Sequence, residues 1–275
     1  MRALLISAAI FAACSPTVDA QDRQSDGLNK IAERDLREFK AMLPGVYDNQ
    51  EQVYFQENLD LPQDKRLPRL TLTITPDGNG FKAVTDSPTT GRTTEARLEY
   101  FIKEGQIQSR ETREGQADCD RIFTRNLEHF RGEGCGGAVI ASDTGFVFGD
   151  PDRPFKMRRA QMFKCWVSPQ KTDGSYAFYN DVVLHDQGGR AWVTGDDHPR
   201  VGLKIRNVVW AAGNNRPSLV LYTYKGDDED KAASYAWTSP DEPRIGINLR
   251  WMQVSCTRGS DTITPGINLK TGSGQ

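Results

Sequence analysis

The chain has 275 residues, with 35 Lys+Arg against 37 Asp+Glu. That near balance gives no extended field of one sign and argues against nucleic acid as a partner. The length suits one large β domain or two small ones.

Met1-Arg2 is followed by an apolar run from Ala3 to Ala13, the length of an export signal and too short for a membrane span. Residues 1–20 are therefore expected to be a signal with the start of a tether. Two processing sites compete. Phe11-Ala12-Ala13-Cys14 resembles a lipobox, in which Cys14 would be lipidated and anchor the chain to a membrane, and Val18-Asp19-Ala20 suits ordinary signal peptidase. Either way the protein is expected in a bacterial envelope, as a periplasmic protein or a lipoprotein. Removing Cys14 from the count leaves Cys119, Cys135, Cys165 and Cys256, an even set that fits disulfides in an oxidising compartment. Four cysteines allow three pairings. Cys119 with Cys135 would clamp neighbouring strands, and Cys165 with Cys256 would tie the C-terminal strands to the middle of the chain. With no C-x-x-C and three scattered histidines, His129, His185 and His198, no metal site is expected.

Residues 21–27 are polar and read as a tether. From Leu28, the residues Ile31, Leu36, Phe39 and Leu43 recur at helical intervals until Pro44-Gly45 stops the run. Beyond Val46 the pattern becomes β. Leu70, Leu72 and Ile74 alternate with threonines, and Pro76-Asp77-Gly78-Asn79-Gly80 turns the chain into a second strand. Strand patterns follow at 97–103, 106–112, 121–125, 139–141, 145–148, 157–167, 176–185, 190–194, 203–211, 218–224, 233–238 and 245–257. This succession predicts a mainly β domain over 28–258, an antiparallel barrel or sandwich. The tail 259–275, poor in large apolar residues, is expected to be disordered.

No G-x-S-x-G, H-E-x-x-H or P-loop is present. The passage Leu43 to Gln52 follows the helix with a glycine, an aromatic and an N-x-x-Q pattern at Asn49 and Gln52. Arg97-Leu98 opens a strand that ends in the Gly105 turn. Cys119-Asp120 precedes a short strand and Phe130-Arg131-Gly132. In this order, over residues 36 to 132, the chain resembles the CpcT/CpeT family of phycobilin chromophore lyases. The resemblance implies a calycin-like antiparallel barrel with an N-terminal helix and extra C-terminal strands. It also implies a linear tetrapyrrole as ligand, with no further cofactor required, and thioether attachment of that bilin to a cysteine of an acceptor protein. On it, Asn49, Gln52, Arg97 and Asp120 are candidate ligand-binding residues, with Arg97 as the cation; Tyr100, on the same strand, is a further candidate if that strand lines a cavity. A non-catalytic envelope lipoprotein, structural or binding a small apolar ligand, is the alternative. Cys14→Ala is expected to release the protein from the membrane fraction; a wild-type protein already soluble and beginning at Gln21 would select ordinary secretion.

Overall fold

The computed structural model describes residues 18–259. Residues 1–17 of the segment expected to be a signal, Cys14 among them, and residues 260–275 of the tail expected to be disordered lie outside the described residues. Helix α1 (Val18–Met42) begins ten residues before Leu28 and takes in the stretch expected to be a tether. Its residues Ala32, Asp35 and Phe39 are buried on one face, continued by Leu43 just beyond its end. Pro44 ends it, and the exposed carbonyls of its last turn find partners outside the helix. The Tyr47 hydroxyl donates to the Met42 and Leu43 carbonyls at 2.9 Å, and Arg159 donates to the Met42 and Pro44 carbonyls at 2.8 Å.

The short strand β1 (Gly45–Asp48) is followed by a helix that the sequence pattern did not announce, α2 (Gln50–Asn58). Its apolar residues show almost no helical periodicity, so it leaves no such trace. An antiparallel meander comes next: β2 (Thr71–Asp77), β3 (Gly80–Ser87), β4 (Arg92–Lys103), β5 (Gln106–Thr112), β6 (Cys119–Asn126), β7 (His129–Gly134), β8 (Val139–Ser142), β9 (Gly145–Asp150) and β10 (Arg153–Arg159). Each strand pairs with the next, and β1 closes the ring by pairing with both β2 and β10, so the ten strands form a closed barrel. Inward residues alternate with outward ones. Phe39 of α1 enters one end of the barrel, with ring centroids 4.7–5.1 Å from Tyr100, Phe123 and Phe130. Arg125, at the same end, bonds Asp35 and Glu38 of the helix. The helix thus plugs the bottom.

The expected strand 157–167 is two strands, parted at Ala160-Gln161, and they belong to different bodies. The extra C-terminal strands form two four-stranded sheets. One orders β12 (Tyr179–His185), β11 (Met162–Pro169), β18 (Met252–Arg258) and β17 (Arg244–Asn248); the other orders β13 (Gln187–Gly195), β14 (His198–Val208), β15 (Ser218–Lys225) and β16 (Ser234–Thr238). Their inner faces share a core that includes Phe163, Val167, Leu203, Ile205, Leu219, Leu221 and Met252. Both favoured disulfides are present, Cys119–Cys135 at the barrel rim and Cys165–Cys256 between paired positions of β11 and β18. Two disulfides fit a non-reducing, exported setting. No helix among the described residues is long and apolar enough to cross a membrane.

Barrel and sandwich meet at polar groups. Asp48, fully buried, accepts from Arg69, Thr71 and the Gln50 amide, and Arg69 also donates to the Gln187 carbonyl at 2.8 Å. Beside them Asp186 accepts from the Gln161 amide and from the Asn207 side chain. Burial lowers the His185 imidazole to about 4, aided by Arg69 and opposed by Asp48. Burial also raises Asp186 to about 6 against its hydrogen bonds. The two act oppositely. Unfolded His185 takes up a proton near 6.5, so its contribution is lost as pH falls toward 4; unfolded Asp186 releases one near 3.8, so its contribution is lost as pH rises toward 6.

Asp186→Asn should therefore uncover the histidine's acid sensitivity. The urea midpoint of the variant is expected to drop more steeply between pH 6.5 and 4.5 than that of the wild type, and parallel profiles would show that the two groups do not offset each other. Phe39→Ala, which empties the barrel plug, should cost about 3–5 kcal/mol in the same assay, whereas Leu127→Ala, on an exposed turn, should be near neutral.

Candidate functional site

With α1 closing the bottom, the barrel interior opens at the other end, where the β3–β4, β5–β6, β7–β8 and β9–β10 connections lie. The cavity has a volume of about 410 Å³, within the range of small-molecule pockets, roughly 300–1,000 Å³. Its deeper wall is apolar: Leu72, Ile74, Leu98, Phe123, Phe146 and Phe148 among others. Gly132 keeps part of this wall in place. It pairs with Phe123 across β6 and β7, and the Phe123 ring lies over it so closely that a Cβ would sit 2.5 Å from a ring carbon.

Near the mouth the lining becomes charged. Glu111 of β5 and Arg121 of β6 point inward and bond at 3.0 Å, each with only 13% of its side chain exposed. Arg113, at the rim, donates its Nε to the other Glu111 oxygen at 2.6 Å. One carboxylate thus serves two guanidiniums, which leaves one positive charge over within this trio; the other acidic lining residue, Glu95, is paired with Lys82. The Arg121 Nε is buried and has no hydrogen-bond partner, a cost that an incoming acceptor would relieve. The Cys119–Cys135 disulfide joins the start of β6 to the turn carrying Gly136, which also lines the cavity beside Arg121. The Tyr100 hydroxyl is held above its usual range by burial and by Glu111, so it stays a neutral hydrogen-bonding group.

The residues expected from sequence occupy different places. Tyr100 lines the cavity. Arg97, the expected cation, does not: it stands on the outer face of β4, bonded to Asp77 at 2.9 Å and Glu99 at 3.1 Å and half exposed. The reason is strand alternation. Ala96, Leu98 and Tyr100 take the inner face, so Glu95, Arg97 and Glu99 take the outer one. Asp120 is likewise outside, in a two-pronged pair with Arg110. Asn49 is fully buried, but its amide joins the Pro68 carbonyl and the Leu70 amide. Gln52 binds the backbone of Pro154 and Lys156. Both side chains fasten α2 and its approach to the barrel wall. Glu111, Arg113 and Arg121 were missed. Arg121 shares parity with Cys119 and Phe123, a signal the sequence did carry, but Ile122 faces outward, half exposed, and blurs it.

No protein-family model matches this sequence, and neither a curated protein nor a solved structure matches the chain. Among the described residues no cluster of His, Cys, Asp and Glu is arranged to hold a metal. All four described cysteines are in disulfides, and the carboxylate that acts on Tyr100, Glu111, is engaged by two guanidiniums. The arrangement can hold a ligand with an apolar body and an anionic end.

The shared carboxylate makes the charges unequal in their consequences. Glu111→Leu strands Arg121 and should destabilise the fold by about 2–3 kcal/mol. Arg121→Leu leaves Glu111 paired with Arg113 and should cost less, and Arg97→Leu should stay within about 0.5 kcal/mol of wild type. Equilibrium chemical denaturation of the three variants checks the order.

Proposed function

We propose that the barrel holds a linear tetrapyrrole by a carboxylate, as the resemblance to the CpcT/CpeT chromophore lyases implies, in an exported protein. The observation that carries this reading is the inward Arg121, whose buried Nε is free while its Nη1 serves Glu111. A propionate at the mouth would take that donor and meet Arg113, and the pyrrole rings would lie along Phe123, Phe146 and Phe148. Charge-assisted and planar, such contacts are among the stronger polar ones a pocket can make.

If the protein is catalytic, its part is orientation. The thiol of an acceptor protein adds across a carbon–carbon double bond of the bilin; the new C–S bond forms at one carbon and the thiol proton goes to the other. The four described cysteines are tied in disulfides, so the thiol would come from the partner. Glu111, Arg113 and Arg121 would fix one end of the pigment while the open mouth leaves the other within reach.

Biliverdin or phycocyanobilin titrated into the purified protein should shift the visible band and saturate. Arg121→Met should weaken binding by about ten- to a hundredfold, and Arg97→Met should leave it unchanged. If neither pigment responds at high micromolar protein, the tetrapyrrole reading fails, and a small apolar carboxylate in a non-catalytic envelope protein becomes the better one. If both variants bind as the wild type does, the cavity is not the site.

A further inference from the structure

The outer face of the second sandwich sheet is unlike any other surface of the molecule. Alternation sends Leu203, Ile205, Leu219 and Leu221 into the core and turns a set of cations and aromatic rings outward. Register aligns them in rows across the strands. Arg190, Lys204, Tyr222 and Tyr235 stand opposite one another on β13, β14, β15 and β16, and Arg206, Val220 and Trp237 form the next row. The β13–β14 half is therefore cationic and the β15–β16 half aromatic. Tyr235 and Trp237 are 63% and 70% exposed, so their ring faces are open to solvent.

Side chains from outside the sheet border this face at both ends. At one end Tyr54 of α2 lies under the Arg206 guanidinium, 4.2 Å from ring centroid to Cζ, and its hydroxyl accepts from the Ala211 amide. At the other, the β15–β16 connection brings Glu229 to Arg190 and Arg200. Lys204 sits between them with no carboxylate within 4.0 Å among the described residues; its ammonium lies 5.8 Å from the Tyr222 ring centroid. The Arg206 Nε is buried and unbonded. Burial, together with Arg190, Arg206 and Arg69, lowers Lys204 to about 8 against a small opposing effect of Glu57. Positive charge is thus gathered here without its counterpart, and a bound anion would stabilise it.

We infer that this face binds an acidic polysaccharide, its carboxylates against Lys204 and Arg206 and the apolar faces of its sugar rings on Tyr235 and Trp237. Charge complementarity selects an anion, and open rings beside the cations select one that carries flat apolar faces at intervals. Exposure separates this partner from a membrane: Trp237 stands 70% exposed at the sheet edge while Lys204 is half-buried beside Tyr222, so a planar surface meets the ring before the ammonium. The two disulfides fit an exported setting, where glycans rather than nucleic acids are the abundant polyanions. The site is independent of the barrel cavity.

Calorimetric titration of the full protein with polygalacturonate tests the inference, with uncharged dextran as the control polymer and phosphatidylglycerol vesicles as the rival surface. Polygalacturonate should bind and dextran should not. Lys204→Gln should weaken binding by about tenfold or more, Trp237→Ala by a few-fold to about tenfold, and Arg121→Met, inside the barrel, not at all. Trp237 is exposed, so its variant keeps the test informative should Lys204→Gln fail to fold. Absence of polygalacturonate binding, or equal binding by Lys204→Gln and Trp237→Ala, overturns the inference. Vesicle binding that both substitutions abolish, with no response to the polymer, overturns it in favour of a membrane surface.

Discussion

Four residues hold this architecture together. β1, Gly45 to Asp48, is buried along its whole length and supplies the ladder that joins β2 to β10. Alternation divides its side chains between the two bodies. Tyr47 points into the barrel, packs on Phe146 and seals the last turn of α1. Asp48 points out and grips Arg69, whose guanidinium also holds the turn that opens the second sheet. Barrel closure, the plug and the junction between barrel and sandwich all pass through one short strand.

How much of this was legible depended on whether a local pattern reported a local cause. The β character, the first hairpin and both disulfides could be read, because alternation, turn residues and cysteine parity are local signals. The division into barrel and sandwich could not be read from the continuous strand pattern at 157–167, since the break at Ala160-Gln161 is made by the distant Asp186 and Val46, which bond its backbone. α2 was hidden because its role is to carry Asn49 and Gln52 onto distant backbone, which requires no amphipathic face. In the site, Tyr100 lay on the inward parity of a well-patterned strand. Arg97 was misplaced although the alternation of Glu95, Arg97 and Glu99 against Ala96, Leu98 and Tyr100 stated its side. Arg121 broke the pattern outright, an inward charge beside an outward Ile122. Departures of that kind are where folding preference and function separate.

The two charged surfaces differ in how they carry positive charge. In the cavity Glu111 offsets one of two guanidiniums, so a single donor is left for a ligand whose body the aromatic wall fits. On the sandwich face the cations stack on rings, Arg200 at 3.8 Å over Trp192 and Arg206 over Tyr54, and carboxylates stay at the margin. Trp192 lies flat there because Gly202 opposite it has no side chain; a Cβ would meet its ring at 2.5 Å. One glycine thereby lowers the floor of the face, as Gly132 shapes the wall of the cavity.

The closure of the barrel also sets an order of events for a chain that appears N-terminus first. Every pairing from β2 to β10 joins neighbours in sequence, so these hairpins can form one after another with little loop entropy to overcome. The pairing of Tyr47 with Arg159 is different, since it must wait until residue 159 is available. Until then β1 is paired on its β2 side alone, its other edge and the free edge of β10 lie open, and Tyr47 has no Phe146 ring to pack on before β9 forms. An unpaired edge next to exposed aromatic side chains is the species most open to wrong association. The last bond of the ring is therefore the step at which this protein is most vulnerable, and the one that a chaperone meeting it before closure would have most reason to guard.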